Sequence, residues 1–251
     1  MARRRRRDNA GSSEMSWKKH QLLQRVARGQ AHAFRQTHPQ ARCLIIDMHA
    51  GTGEGITLPQ LDFFAPAVSV PSAAIAVSLA QELGQTDVIL CEKQRSKRQQ
   101  LLARFPEATI LKDHQDLMGV RLDDYGWALV FNDPCGYGSH GVEVLQHIAR
   151  EIRSDSIVIF NEGALNRLLG MHEIPEEPDP PHVAAIRHRR QHYAWLIQPK
   201  SWALQLGMRQ VARSCLITAT PGFRYRLLVV SRAFCDYIRP PLWEKLTAWT
   251  S

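Results

Sequence analysis

The sequence predicts an open, doubly wound α/β sheet of seven strands that ends in an antiparallel hairpin. Three observations predict it. Short, nearly continuous apolar runs alternate with helix-prone segments from Cys43 to Leu169, the rhythm of strands buried on both faces and joined by crossover helices. The loops after those runs are polar or glycine-rich, and an open α/β sheet binds its ligands there. Near the C-terminus, Ser214–Thr220 and Tyr225–Arg232 are both strand-like, and the short break Pro221-Gly222-Phe223-Arg224 between them reads as a hairpin.

The elements follow in order. Residues 1–15 read as a flexible basic tail, and 16–251 as one domain. Ser16 suits the N-cap of a helix over Trp17–Gln36, where Leu22, Leu23, Val26, Ala27 and Phe34 recur at helical spacing and Pro39 marks the exit. Cys43–Met48 is the first buried strand, Val88–Cys91 the second and Thr109–Leu111 the third, with a helix over Gln94–Phe105. Trp127–Phe131 and Ser156–Phe160 are the fourth and fifth strands, with helices over Val142–Ile152 and Ala164–Leu169. The rhythm then breaks, and 170–210 reads as an insert. Glu173–His182 is acidic and proline-rich, hence a loop. Val183–Trp202 is helix-like and carries Arg187-His188-Arg189-Arg190 beside Tyr193, Trp195 and Trp202. Pro240–Ser251 suits a short amphipathic helix with Leu242, Leu246 and Trp249 inward.

Composition narrows the function classes. Hydrophobic residues are 44% of the 251 and charged residues 22%, which excludes a wholly disordered chain or a fibrous rod. No stretch approaches the ~18 apolar residues of a membrane span. No apolar run follows the N-terminal arginines, so no secretory signal is read. Five scattered cysteines, with no C-x-x-C pair, suit a reducing compartment and give no zinc site. The expectation is a cytoplasmic protein without a membrane partner. The net charge is +8, and removing residues 1–8, with the run Arg3 to Arg7, leaves +4. Such an excess points to a polyanion, nucleic acid first, engaged through the Arg3–Arg7 tail and the Arg187–Arg190 cluster.

The strand-end loops carry the chemistry. After the first strand comes Asp47-Met48-His49-Ala50-Gly51-Thr52-Gly53-Glu54-Gly55, whose glycines let the backbone bend tightly and approach a ligand. The spacing is neither G-x-G-x-x-G nor a P-loop. After the second comes Glu92, an acceptor for ribose hydroxyls, and after the third Asp113-His114, within reach of an adenine amino group. After the fourth comes Asn132-Asp133-Pro134-Cys135-Gly136-Tyr137-Gly138, where proline stiffens the turn and Asn132 and Asp133 offer oxygens to an exocyclic amine. Each loop also has a reading as a turn or a cap, which prevails for Glu92 and Asp113 taken alone but not for Asp47–Gly55. Together, at successive strand ends, they read as one site.

This ordered set resembles the class I S-adenosylmethionine-dependent methyltransferases, which implies a Rossmann-like sheet whose sixth and seventh strands are antiparallel. The resemblance spans roughly residues 17–232. It implies that Asp47, His49, Ala50, Gly51 and Gly53 hold the cofactor, with Glu92 on the ribose and Asp113 and His114 at the adenine. It also implies that Asn132, Asp133, Pro134 and Tyr137 handle the acceptor. A closer likeness is to the three-Cys-motif partner (TcmP-like) proteins, a group found with mobile elements. It rests on the Asp-x-x-Ala-Gly-x-Gly loop, on Val70-Pro71-Ser72 before Ala73–Leu79, and on the Asp-Pro-x-Gly turn. The chain departs from amino-methylating enzymes of nucleic acids, whose Asp/Asn-Pro-Pro is followed by an aromatic that stacks on a flipped base. Here the tetrad is Asp133-Pro134-Cys135-Gly136, and Tyr137 comes one place late. Pro134-Cys135 matches the dipeptide of C5-pyrimidine methylation, without its surrounding pattern. The first expectation is a methyltransferase acting on nucleic acid at a base nitrogen. The second is a methyltransferase-like accessory module that binds nucleic acid or a protein without turnover. The third is a methyltransferase acting on a small molecule or a protein.

Overall fold

The computed structural model describes residues 14–57, 68–134, 141–161, 211–220 and 223–231. The Arg3–Arg7 run, Cys135, Tyr137, the 170–210 segment with Arg187–Arg190, the helix read over Ala164–Leu169 and the C-terminal helix lie outside them.

Helix α1 covers Glu14–Thr37. It starts two residues inside the segment read as a tail, so Ser16 sits in its first turn and is not its cap. Strand β1 (Cys43–Asp47) follows. A small antiparallel pair, β2 (Ile56–Thr57) and β3 (Val68–Ser69), comes next and was not expected from the sequence. Helix α2 (Ser72–Leu83), also not expected from the sequence, precedes β4 (Thr86–Cys91), α3 (Arg95–Arg104) and β5 (Thr109–Leu111), which alternate as predicted. A 3-10 turn over His114–Gly119 leads to β6 (Trp127–Asn132), α4 (Val142–Glu151) and β7 (Ser154–Asn161). The hairpin β8 (Val211–Thr220) and β9 (Phe223–Ser231) closes the sheet, joined so tightly that Thr220 pairs with Phe223.

The seven strands lie in the order β5-β4-β1-β6-β7-β9-β8. The five strands from β5 to β7 run parallel, and β9 is antiparallel to both of its neighbours. The order reverses between β1 and β6, which pair in register from Cys43 with Trp127 to Asp47 with Phe131. That reversal is the crevice in which a doubly wound sheet holds a ligand.

Strand β1 shows why its run is continuously apolar. Cys43 and Ile45 join one core with α1 and α2 side chains such as Leu22, Val26 and Leu79, while Leu44 and Ile46 join a second core with Leu145 and Ile148 of α4. Strand β6 divides the same way, Trp127, Leu129 and Phe131 to the first core and Ala128 and Val130 to the second. Trp127 stacks on Phe34 at 4.9 Å and donates its indole N–H to Asp155. Both faces being covered, polar groups on these strands are confined to their ends. Cys43 and Cys91 are free thiols buried in these layers, small hydrophobes as read.

Candidate active site

The carboxyl ends of β1, β4, β5 and β6 open on a cleft of about 270 Å³. Its lining includes His49 and Gly51 from the first loop, Glu92 from the second, Asp113 and His114 from the third, and Pro134 from the fourth. Half of the residues singled out in the sequence thus share one cavity, and Met48, Cys91, Lys93, Gln94 and Lys97 complete its wall.

The other predicted residues support this wall. Asp47 is fully buried and accepts the His49 N–H at 3.0 Å, which bends the chain out of β1. Burial pushes its carboxyl up to about 6, against the pull of the Ser72 hydroxyl and the His49 amide. Ala50 is buried and donates its N–H to the Cys91 carbonyl, tying the first loop to the second strand. The two glycines differ. Gly51 has φ +63°, and a Cβ built on it would meet nothing within 4 Å, so its bare backbone faces open space. Gly53 has φ +65°, and its Cβ would lie 2.5 Å from the Phe105 ring. Gly53 therefore serves the packing of α3 and does not line the cleft.

The carboxylates of the second and third loops are held by the backbone. Glu92 Oε1 accepts the Gln94 N–H at 2.8 Å, at the start of α3. Asp113 caps the 3-10 turn through Gln115 N–H, and Asp116 returns the bond to the Asp113 N–H. The other Asp113 oxygen pairs with Lys93 at 3.0 Å. Against the upward pull of burial, the Lys93 ammonium and the Gln115 amide hold the Asp113 carboxyl below its ordinary value. Any further donor to this Asp113 oxygen competes with Lys93.

Two neutral imidazoles stand between these loops. His49 and His114 face each other with ring centroids 5.4 Å apart. Burial, then His114, pushes His49 down to about 4, although Asp133 and Asn132 pull the other way. Burial likewise lowers His114. Gly141 (φ +55°) lies so close that a Cβ would come within 2.6 Å of Met48 and 2.9 Å of His114, so only glycine closes the back of this wall. Burial also pushes the Cys91 thiol up, followed by Asp47, Asp113 and Asp116, which leaves it protonated in the cleft wall.

On the fourth loop Asn132 is fully buried, and Asp133 is met from an unexpected direction. Lys19 of α1 reaches it with Nζ 2.5 Å from Oδ2, and the two side chains are only 12% and 18% exposed. The same ammonium stands 5.4 Å from the ring centre of Tyr225 on β9. His20 is beside it, pushed down to about 4 by burial first and by Lys19 second. Sequence reasoning missed Lys19 and His20. One signal was present: Lys19 falls three, four and seven residues before Leu22, Leu23 and Val26, so a cation stood on the buried stripe of an amphipathic helix.

Strand order, antiparallel β9 and a four-loop cleft at the reversal together define a Rossmann-like α/β fold of the methyltransferase type. No protein-family model matches the sequence, and no curated protein matches it either. Among solved structures, protein LPL1258 from Legionella pneumophila str. Philadelphia 1, of family model DUF519, is similar. That match has TM-score 0.57 at 14% identity, over 96% of this chain and 94% of that one. It is a likeness of fold. Weaker matches include the plantazolicin methyltransferase BpumL in complex with SAH (TM-score 0.46, 11% identity, 89% of each chain). Another is the precorrin-6y C5,15-methyltransferase of Geobacter metallireducens GS-15 (TM-score 0.44, 8% identity, 84% of this chain and 86% of that one).

Proposed function

We propose that the chain is an S-adenosylmethionine-dependent methyltransferase acting on nucleic acid at a base nitrogen. The observation that carries the reading is the single cleft shared by the four strand-end loops. The cofactor supplies, when bound, a methyl group on a sulfonium, so the chain's task is mostly positioning. The open backbone at Gly51 gives the close approach such a ligand needs. Glu92 is the acceptor for its ribose hydroxyls, and Asp113 and His114 form the wall at its base.

The acceptor side is built from Asn132, Asp133 and Pro134, with Tyr137 as the stacking aromatic. An exocyclic or ring N–H donating to the oxygens of Asn132 and Asp133 turns its lone pair toward the methyl group. Lys19 holds the Asp133 carboxylate in place through their ion pair. The neutral His49 on the first loop, whose buried Nε2 has no hydrogen-bond partner among the described residues, is a candidate proton acceptor facing this side. The test is incorporation of labelled methyl into RNA and DNA. Transfer is expected with the parent chain and its loss with Lys19→Met and Asp133→Asn. No transfer to either polymer by a chain that binds the cofactor would overturn the assignment.

A second reading is a methyltransferase-like binding module without turnover. The Asp133–Lys19 pair favours it, because it occupies the carboxylate that an acceptor amine would use. So does the tetrad Asp133-Pro134-Cys135-Gly136, which lacks an aromatic in fourth place. Salt-sensitive nucleic-acid binding with no methyl incorporation is its expected signature.

A further inference from the structure

Positive charge gathers in two stretches of the described chain, 18–42 and 92–112, and the second lies beside the cleft. Residues 92–112 hold six cations, Lys93, Arg95, Lys97, Arg98, Arg104 and Lys112, against the carboxylates of Glu92 and Glu107. The excess of four equals the net charge of everything after residue 8. These cations sit on α3 or at the carboxyl ends of β4 and β5. They therefore flank one side of the cleft, which Lys93 and Lys97 themselves line.

Three of the six are engaged within the fold. Arg98 donates to the carbonyls of Glu92 and Lys93 at 2.9 and 2.6 Å. Arg104 donates to the Gly53 carbonyl at 2.9 Å. Lys93 pairs with Asp113. Two of the nearby acids are engaged by backbone, Glu92 with the Gln94 amide and Asp116 with the Asp113 amide, while Asp116 and Glu107 stay exposed. Arg95, Lys97 and Lys112 make no ion pair with any described residue, and Arg95 and Lys112 are exposed. Leu111 pairs with Cys91 in the sheet, so Lys112 and Lys93 leave adjacent strand ends. The result is a rim of cations at the mouth of the cleft, in which Arg95, Lys97 and Lys112 have no carboxylate partner among the described residues.

Like charges left together in water do nothing for the fold, and they suit a polyanion. We propose that this rim, Arg95, Lys97 and Lys112 with Lys93, is the docking surface for the phosphate backbone of the nucleic-acid substrate as its base enters the cleft. The proposal rests on the nucleic-acid reading above. It assigns binding to the folded domain itself, apart from the Arg3–Arg7 run.

The test is a salt titration of binding to a short fluorescent single-stranded RNA, and to DNA of the same sequence. It compares the full chain with Arg95→Glu/Lys112→Glu and with the conservative Arg95→Lys/Lys112→Arg. Deletion of residues 1–8 in each background removes the contribution of the arginine run. The charge reversal is expected to weaken binding about tenfold or more at fixed salt, and to flatten the plot of log K against log salt by about one to two in slope. The conservative variant is expected to match the parent. Neither residue lines the cleft, so cofactor binding and the thermal melt stay unchanged. If the reversal disturbs the melt, Arg95→Gln/Lys112→Gln is read in its place. A parent that binds and a reversed variant with the same affinity and slope would overturn the surface but leave the nucleic-acid reading standing. A parent that binds neither polymer at low salt overturns that reading, and this surface with it. RNA and DNA bound unequally identify the natural polymer.

Discussion

The two ends of the parallel strands are both rich in polar side chains, yet they are built differently. At the amino end most of the groups bond one another, the buried Arg35 Nε being an exception among the described residues. Asp87 accepts from Arg42 at 2.6 Å and from the Tyr125 hydroxyl at 2.7 Å, and the Arg42 guanidinium stands 4.8 Å from the Tyr125 ring centre. Arg35 donates to the carbonyls of Pro39, Ala41 and Gly84. At the carboxyl end the loops touch at a few points, such as Lys93 with Asp113, and otherwise border an open cavity. Among the described residues His49 Nε2 has no hydrogen-bond partner and Lys97, which lines the cavity, has no ion pair, while Gly51 presents bare backbone. Polar richness therefore does not distinguish function from structure here. The distinction is whether the polar groups are spent on each other or left facing a cavity.

The comparison can be broken most sharply by one substitution at each end. Gly51→Asp places a carboxylate on the open backbone of the first loop. Cofactor affinity is expected to fall by about 100-fold or more, from added strain at positive φ and lost space, with the fold retained in a circular dichroism melt. Arg35→Ala at the amino end is expected to cost about 3 kcal/mol in a urea titration, since it strands several carbonyls, and to leave cofactor affinity unchanged. If Arg35→Ala weakened binding as strongly as Gly51→Asp, the division between the two ends would fail.

Acid sharpens the same division. His20 and His49 are held neutral in the folded chain down to about 4. The unfolded chain takes up these protons near pH 6.5, so their stabilising effect is complete above that pH and is lost as pH falls toward 4. Asp47, raised to about 6, is protonated first in the folded chain and offsets part of the loss. The net fall between pH 6.5 and 4 is expected to be on the order of 3 kcal/mol, read as a falling Tm. His49→Asn is expected to flatten the profile. The smallest of these effects is that of Glu92→Ala. It is expected to weaken cofactor binding about tenfold, or about 1.4 kcal/mol. The loss of the bond to the Gln94 amide costs about 1 kcal/mol of stability.

The four loops were legible in the sequence because a strand buried on both faces cannot carry polar residues except at its ends. Runs such as Cys43–Asp47 and Trp127–Asn132 therefore marked where their loops began. The hairpin was legible from two strand-like segments and the short Pro221-Gly222 break between them. The pair β2–β3 was not, because two-residue strands have no period to detect. Lys19 was not, because its contact with Asp133 spans 114 positions and depends on how α1 packs. The separate tasks of Gly51 and Gly53 were also hidden: a glycine-rich motif does not say which glycine faces a ligand and which faces Phe105.

The central claim is that the carboxyl-end cleft holds S-adenosylmethionine through the Gly51 loop and Glu92. Isothermal titration of the full chain with S-adenosylmethionine tests it most directly. The account predicts saturable one-to-one binding by the parent, lost in Gly51→Asp and about tenfold weaker in Glu92→Ala. No measurable heat with the parent, or binding that both substitutions leave unchanged, would contradict it.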